Sequence, residues 1–418
     1  MSNGDLVIVG GAEVLERKTI LSRFVELSGG PEGRFLVLAS ATGSPLEGFE
    51  RQRRWLGEAG VAPERVELLR VSGKVDGWER GAWDGAELDR LERADGLWLL
   101  GGDQNLTIAL LQDEAGGDSP LLAAIRRRAA RSHAEGGLVV GGTSAGAAVL
   151  SDPMLCAGTS FGALALPRAK GPGEAEMSPA LLVGRGFGLF PEGVVDQHFD
   201  ARARLARLAE AALVEDGARR PAFGIAEATA LVYEGGPRRI SVTRAGTVCV
   251  LDSRGAKRSL VPTKAGPRLR IEDLLFHCLT EGDSYFPGEE RVDFGLKEEL
   301  PPSGAAFASE RPEASGVLSP YSRLADFAAR MLLDNAPGLL FLDPRSGRRY
   351  ARSLLVEETG LPEGGSACLG WEIRLGRHLP GREGPGRKEG RLYYDGRYSF
   401  ENVYVDILPL EIDINRPE

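Results

Sequence analysis

The sequence predicts an α/β protein whose larger, first domain is doubly wound around a mostly parallel sheet. Short apolar runs bounded by glycine recur through the first 230 residues, and such uninterrupted runs are typical of strands buried on both faces. Segments with helical periodicity alternate with these runs. The length of 418 residues exceeds what one hydrophobic core usually organises, so a second, smaller domain is also expected.

The predicted elements follow one another in the order strand, helix, strand. The strands are expected at 6–9, 35–38, 96–100, 137–140 and 193–195, and the helices at 16–26, 46–59, 119–131 and 201–214. Beyond residue 232 the pattern shortens to β-like pieces at 239–243, 246–251 and 260–262. These pieces predict an edge hairpin or an extension of the sheet.

A stretch rich in Pro, Gly, Ser, Ala and Glu divides the chain. We interpret residues 296–318 as a linker, because this composition buries little apolar surface. It separates a first domain at 1–295 from a small α+β domain at 319–418. In that second domain we expect one amphipathic helix at 321–333 and strands at 338–342, 352–356, 367–373 and 402–410, and its role stays open.

Composition excludes several classes of function. The net charge of -9 and the pI near 5.3 provide no basic surface for a nucleic acid. Neither a signal peptide nor a membrane span is expected, and the cytoplasm is the expected location. The spacing of the four cysteines suggests neither a zinc site nor a disulfide framework, and these residues are Cys156, Cys249, Cys278 and Cys368.

The strongest chemical signal is a G-x-S-x-G motif between a predicted strand and an Ala-rich helix start. It runs from Gly142 to Gly146 with Ser144 at its centre. A serine on a sharp strand-to-helix turn needs very small neighbours, and the turn exposes its hydroxyl as a nucleophile. The N–H groups of the following helix can stabilise an oxyanion, and Ala145 would supply one of them.

The alternative to a nucleophile turn is a glycine-rich turn that binds phosphate or only packs tightly. A phosphate-binding P-loop is disfavoured because no G-K-[ST] sequence occurs. The dinucleotide fingerprint G-x-G-x-x-G is missing from this turn and from Gly10-Gly11.

A serine nucleophile needs a base, and the chain contains only four histidines. His133 precedes the nucleophile strand at its opposite end, and His277 and His378 follow the predicted α/β core. His198 comes directly after the strand at 193–195, at the carboxyl end where open α/β sheets bind ligands. We therefore predict His198 as the base.

The base must in turn be oriented by a third group. Glu227 follows another apolar, strand-like stretch and is the preferred candidate, with Asp196 as the alternative. The resulting chain order of Ser, His, Glu differs from that of the α/β-hydrolases.

Two further clusters accompany these residues. The turn 101–104 ends a predicted strand, and the N–H of Gly102 can complete an oxyanion hole with that of Ala145. Arg202, Arg204 and Arg207 follow His198. Arginines on a helix usually form a solvated face, but beside a catalytic histidine they can bind substrate carboxylates.

These same segments resemble the cyanophycinase family, within the peptidase E-like group of serine peptidases. The resemblance covers roughly the first 280 residues, and the segments are IVGGAE at 8–13, GGDQ at 101–104, GGTSAGAA at 141–148, DQHFDARARLARL at 196–208 and GIAEATALV at 224–232. It implies a fold related to class I glutamine amidotransferases, with serine in place of the nucleophilic cysteine. It also implies hydrolysis of cyanophycin, a poly-aspartate with arginine on each side-chain carboxyl, to β-aspartyl-arginine.

The resemblance assigns roles residue by residue. It implies a triad of Ser144, His198 and Glu227, a homodimer, and a mechanism without metal or cofactor. The substrate-binding residues it implies are Gln104, Asp196, Gln197, Arg202, Arg204 and Arg207. Two alternatives stay open, an aspartyl dipeptidase like peptidase E and a non-catalytic relative that binds ligand. Whether polymer or short β-aspartyl peptides are preferred, and from which end the chain is attacked, also stays open.

Overall fold

The computed structural model describes residues 4–113, 115–171, 173–174, 178–213, 221–263, 266–300, 324, 328, 341–342, 348–356, 367–378 and 388–413. Its α-helices are α1 Arg17–Leu27, α2 Pro45–Glu58, α3 Gly85–Glu92, α4 Gln104–Leu111, α5 Pro120–Ala129, α6 Ala145–Ala148, α7 Ser160–Ala165 and α8 Leu205–Ala212. Its strands are β1 Leu6–Val9, β2 Phe35–Leu38, β3 Val66–Leu69, β4 Gly96–Leu99, β5 Val139–Thr143, β6 Met154–Ala157, β7 Leu182–Gly184, β8 Val194–Asp196, β9 Ala222–Ile225, β10 Ala230–Glu234, β11 Arg239–Thr243, β12 Val248–Asp252, β13 Lys257–Val261, β14 Arg268–Leu279, β15 Ser284–Phe286, β16 Arg291–Asp293, β17 Glu298–Glu299, β18 Phe341–Leu342, β19 Arg349–Val356, β20 Ala367–Arg377, β21 Arg391–Tyr394 and β22 Tyr398–Asp413.

The first sheet has the strand order β16-β15-β11-β10-β1-β5-β4-β2-β3. Strands β1, β5, β4, β2 and β3 are parallel, whereas β10, β11, β15 and β16 are antiparallel to their neighbours. The parallel strands are joined through helices, as parallel pairing requires. β1 pairs with β5 on one side and β10 on the other, so it is central to this sheet.

Helices cover both faces of the parallel strands. Successive side chains of a strand point to opposite faces, so Val7 packs with Phe24 of α1 and Leu56 of α2. Ile8 belongs to the other core, which also contains Leu121 of α5. The helices thereby bury β1 completely and leave only the ends of the strands to bind a ligand.

The second sheet has the order β18-β19-β20-β22-β14-β12-β9-β8, with β13, β17 and β21 attached at its side. β8 and β9 are parallel and the other pairs are antiparallel. The aromatic ring of Trp371 on β20 lies edge-on to that of Phe161 on α7, with centroids 5.3 Å apart. Trp371 and Phe400 share one hydrophobic core with Phe199 and Leu205, which lie beside the candidate site.

A mixed α/β architecture is confirmed, and the predicted strands at 6–9 and 35–38 coincide with β1 and β2. A mostly parallel sheet occurs only in the five-strand section of the first sheet. Between residues 230 and 299 the strands follow one another through short connections, and short connections join antiparallel rather than parallel strands.

The strands at the carboxyl end of the sequence differ from the expectation of a separate α+β domain. β22 pairs with β14, with Phe276 opposite Val403, and β20 pairs with β22. The sheet and its core therefore cross the predicted boundary, because the long strand β14 offers an edge that β22 occupies. The predicted helix at 321–333, apart from residues 324 and 328, lies outside the described residues, as do residues 301–318 of the predicted linker and residues 338–340 of the first predicted strand.

Within the predicted linker, Lys297 is buried, whereas its neighbours Leu296 and Glu298 are exposed. The side chain of Lys297 is only 2% exposed, and its ammonium lies 2.6 Å from Oδ1 of Asp283. It also contacts Thr280 Oγ1 at 2.6 Å and Ser399 Oγ at 2.9 Å. This polar cluster joins the end of β14, the residues after β16 and the strand β22.

Among the described helices, none has both the length and the apolar character needed to cross a lipid bilayer.

Replacing Lys297 with methionine is expected to lower the free energy of unfolding by about 3–5 kcal/mol, because it leaves the Asp283 carboxylate buried without a cation. The measurement is urea unfolding followed by circular dichroism. Lys257→Met is the matched control, since Lys257 pairs with Asp273 at 2.9 Å but its side chain is 73% exposed. Equal stability losses in both variants would show that burial of the pair at 297 has no energetic importance.

Candidate active site

Ser144 lies on the sharp turn between β5 and α6. Its backbone angles are φ 54° and ψ -115°, a conformation that residues other than glycine rarely adopt. The Ser144 N–H donates to the carbonyl of Val9 at 3.1 Å, and the Ser144 carbonyl accepts from Ala148 at 3.0 Å. These bonds hold the strained backbone and point the hydroxyl away from the sheet.

The glycines on either side of Ser144 are required by close packing. A Cβ atom on Gly142 would lie 2.3 Å from the carbonyl oxygen of Gly146. A Cβ atom on Gly146 would lie 2.3 Å from the carbonyl oxygen of Leu99 on β4. The G-x-S-x-G spacing is therefore a requirement of space as much as of backbone conformation.

His198 follows β8 and also has a positive φ, of 48°. Its N–H donates to the carbonyl of Gly10 at 2.8 Å. The imidazole packs directly against Gly11, where an added Cβ would lie 2.4 Å from Cε1 of the ring. The turn after β1 thus leaves room for the ring only because residue 11 has no side chain.

Three side chains that are distant in sequence meet in one hydrogen-bonded line. Ser144 Oγ lies 2.9 Å from His198 Nε2, and His198 Nδ1 lies 2.6 Å from Glu227 Oε1. With the Nδ1 proton bonded to Glu227, Nε2 is the atom that can accept the serine proton. The geometry is capable of activating the Ser144 hydroxyl for attack on a carbonyl.

The surroundings of His198 favour its neutral form. Burial is the largest effect and lowers the pKa of the imidazole below its usual value. The hydrogen bond to Glu227 raises the pKa, whereas the positive charge of Arg202 lowers it. On balance the pKa is lowered, so His198 remains a base at neutral pH.

Asp196, the alternative third group, is directed away from the imidazole. It is 1% exposed, and Arg207 binds both its oxygens, with Nε at 2.7 Å from Oδ2 and Nη2 at 2.5 Å from Oδ1. Arg204 Nη1 approaches Asp196 Oδ1 at 3.1 Å. Glu227 and not Asp196 is therefore the carboxylate that contacts His198.

The arginines near His198 fall into two groups. Arg204 and Arg207 are buried, and Arg204 also donates to Gln197 Oε1 at 2.8 Å. Burial lowers the pKa of Arg204 to about 10. Arg202, by contrast, is exposed, so its guanidinium is accessible to a ligand.

The turn 101–104 lies beside Ser144. An added Cβ on Gly101 would lie 3.2 Å from Cβ of Ser144. Gly102 has φ 143°, and a Cβ there would meet the carbonyl oxygen of Ala41 at 2.0 Å. Ala145 begins α6, so its N–H has no acceptor within that helix. The N–H of Ala145 is therefore free of a partner within α6, and Gly102 is held by close packing against Ala41.

Gln104 is oriented by two backbone carbonyls. Its Nε2 donates to Leu155 at 3.0 Å and to Cys156 at 2.7 Å. Both of its N–H donors are therefore used within the protein, and its Oε1 remains the atom for recognition of a donor. Among the described residues, no group of His, Cys, Asp and Glu side chains forms a potential metal site.

The turn after β1 contacts the backbone on each side of the candidate site, a role that no sequence motif predicted. Glu13 is buried there, and its Oε2 accepts a hydrogen bond from Thr143 Oγ1 at 2.7 Å. The signal in the sequence was the glycine pair that follows β1, which predicts a close approach of backbone to another group.

The chain is similar in sequence to several known proteins. No protein-family model matches the chain. Cyanophycinases from Geminocystis herdmanii, Synechococcus elongatus and a Nostoc species are 30%, 31% and 30% identical to it. These matches cover 67%, 68% and 67% of this chain, and 92%, 79% and 84% of those proteins.

A solved structure of a peptidase from an acI-B1 Actinobacterium is also similar, with 18% identity and a TM-score of 0.46 over 68% of this chain and 97% of that one. That likeness is too low to bear on function. The curated relatives do suffice to assign a family. The fold is a mixed α/β one with a serine, histidine and glutamate in contact at strand ends. The chain belongs to the cyanophycinase family.

Arg202→Gln is expected to raise the pKa of His198, because it removes a positive charge that disfavours the imidazolium. The measurement is an NMR titration of the histidine ring protons, which four histidines keep simple. Arg291→Gln is the matched control, since Arg291 lies on β16, four strands from β1, and solvent screens charges over such distances. A pKa that is unchanged by Arg202→Gln would contradict the described proximity.

Proposed function

We propose that this protein is a serine-type hydrolase that degrades cyanophycin to β-aspartyl-arginine dipeptides as an exopeptidase. The observation that carries the proposal is the contact of Ser144, His198 and Glu227, at 2.9 and 2.6 Å, with Ser144 only partly buried on its turn. Membership of the cyanophycinase family supports the choice of substrate.

The reaction follows from the geometry of these groups. Ser144 Oγ attacks the scissile carbonyl while its proton passes to His198 Nε2. The oxyanion is stabilised by the N–H groups of Gly102 and Ala145. His198 then delivers the proton to the leaving amine, which departs and leaves an acyl-enzyme. Water, deprotonated by His198, attacks this ester and releases the second product and free Ser144.

Substrate recognition rests on the residues that surround His198. Arg202 is exposed and is suited to bind a carboxylate of the substrate by paired hydrogen bonds. Gln104 offers its Oε1 as an acceptor for a substrate N–H or guanidinium. A substrate without a carboxylate would leave Arg202 without its partner, so selection favours acidic peptides.

A buried polar group next to His198 supports recognition indirectly. It consists of Asp196, Gln197, Arg204 and Arg207. Both arginines bind the Asp196 carboxylate, and Gln197 accepts from Arg204 at 2.8 Å while its N–H donates to Asp196 at 2.9 Å. We assign them to fixing the backbone on both sides of His198. A direct contact with substrate would require Arg204 or Gln197 to exchange one of these bonds.

The fold relation to class I glutamine amidotransferases belongs to the same proposal, as do a homodimeric state and a cytoplasmic location. The parallel section of the first sheet, with Ser144 at a strand-to-helix turn, supports the fold relation. A mass determination by size-exclusion chromatography with light scattering distinguishes a dimer from a monomer.

The test of function uses insoluble cyanophycin with the wild type and a Ser144→Ala variant, and soluble products are followed by mass spectrometry. We expect β-aspartyl-arginine from the wild type and none from the variant, because the variant lacks the attacking oxygen. His198→Asn is expected to lower the rate by several orders of magnitude, because the base is absent.

The other outcomes separate the remaining functions. Cleavage of aspartyl dipeptides without attack on cyanophycin would establish an aspartyl dipeptidase and overturn the polymer as substrate. Binding of cyanophycin without any product from the wild type would identify a non-catalytic binding protein. Product formation by Ser144→Ala would exclude Ser144 as the nucleophile.

A further inference from the structure

The turn after β1, residues 9–13, contacts each part of the candidate site through its backbone. The Val9 carbonyl accepts from Ser144 at 3.1 Å, and the Gly10 carbonyl accepts from His198 at 2.8 Å. The Gly11 carbonyl accepts from Ala228, the residue after Glu227, at 2.8 Å. Three successive carbonyls therefore set the relative positions of the three side chains.

The conformation of this turn is strained and needs support. Gly11 has φ 100°, and Ala12 has φ 53°, which is unfavourable for a residue with a side chain. Such conformations persist only where the surrounding structure holds them. A support is therefore expected immediately after Ala12, where the chain leaves the site.

Glu13 provides that support. It is 6% exposed, and its Oε2 accepts from Thr143 Oγ1 at 2.7 Å. Thr143 directly precedes Ser144 and is itself buried. Burial raises the pKa of Glu13, while the bond from Thr143 and the charge of Arg51 lower it. The bond joins the turn to the nucleophile elbow by a side chain in addition to the backbone contacts.

We infer that Glu13 is a positioning residue, and that its hydrogen bond with Thr143 holds the turn 9–13 and Ser144 in the geometry of reaction. The inference rests on the proposed function, because it concerns the reactivity of Ser144. Glu13 contacts neither the Ser144 hydroxyl nor the imidazole in the described bonds. It acts through Thr143 on one side and through the carbonyls of the turn on the other.

The effect is geometric rather than electrostatic. The side-chain charges that act on the pKa of His198 are those of Glu227, Arg202 and Arg204. A glutamine at position 13 keeps an oxygen that accepts from Thr143 and removes only the charge. Glutamine at position 13 is therefore expected to preserve the reactivity of Ser144. Alanine at position 13 is expected to lower that reactivity.

The experiment measures the rate at which a fluorophosphonate modifies Ser144, a reaction in which Oγ bonds to phosphorus and fluoride leaves. Glu13→Ala and Thr143→Val are expected to lower this rate by about 10- to 100-fold, because a small displacement of the nucleophile has an effect of that size. Glu13→Gln and Thr143→Ser retain the hydrogen bond and are expected to retain most of the rate. With substrate, the loss is expected in kcat and not in KM.

Glu16→Ala is the matched control, since Glu16 lies in the same part of the chain and pairs with Arg244 at 3.3 Å. Its labelling rate is expected to equal that of the wild type. Thermal melting by circular dichroism establishes that each variant is folded at the assay temperature. If Glu13→Ala does not fold, the comparison of Thr143→Val with Thr143→Ser decides the same point.

Three results would overturn the inference. The first is an unchanged labelling rate in both Glu13→Ala and Thr143→Val. The second is a loss in Glu13→Gln as large as that in Glu13→Ala. The third is a shifted pH midpoint of labelling in Glu13→Gln, which would reveal an electrostatic role. Failure of the proposed function is a separate observation, because the wild type itself would then remain unlabelled or would fail to attack cyanophycin.

Discussion

The candidate site depends on the end of β1. Carbonyls of residues 9–11 accept hydrogen bonds from Ser144, His198 and the residue after Glu227. β1 pairs with β5 and with β10, and the elbow follows β5 while Glu227 precedes β10. Sheet pairing therefore places Ser144 and Glu227 at the same strand end. His198 follows β8 of the second sheet, and its backbone hydrogen bond to Gly10 connects the two sheets at this point.

Lack of space is the second constraint on the site. Side chains are excluded at Gly11 by the imidazole, at Gly102 by a backbone carbonyl, and at Gly142 and Gly146 by neighbouring backbone. The strained backbone conformation of Ser144 persists because these close contacts and the hydrogen bonds of Ser144 all restrain it. Strain at the nucleophile is thus a consequence of how tightly β1, β4 and β5 meet.

Asp196 is buried together with two arginines that bind it, and this changes the meaning of the motif around His198. In the sequence, three arginines look alike. In the structure Arg204 and Arg207 neutralise Asp196 inside the protein, and only Arg202 faces solvent. Because a buried carboxylate without a partner is costly, the two inner arginines are needed by the fold whatever the substrate is. The motif therefore has a structural role in addition to the recognition that we propose for Arg202.

The sequence by itself determined strands such as β1 and β2 and the turn at Ser144, and it predicted His198 as the base. Apolar runs bounded by glycine predict β1 and β2, and the G-x-S-x-G spacing predicts the elbow at Ser144. The position of His198 at a strand end makes it the candidate base. These signals are local, so the sequence contains them without knowledge of the tertiary structure. Tertiary structure decided which carboxylate contacts the imidazole, the burial of Lys297 and Glu13, and the joining of β22 to β14. Those outcomes depend on which strand edges and charges meet across long separations, and local periodicity carries no information about such pairings.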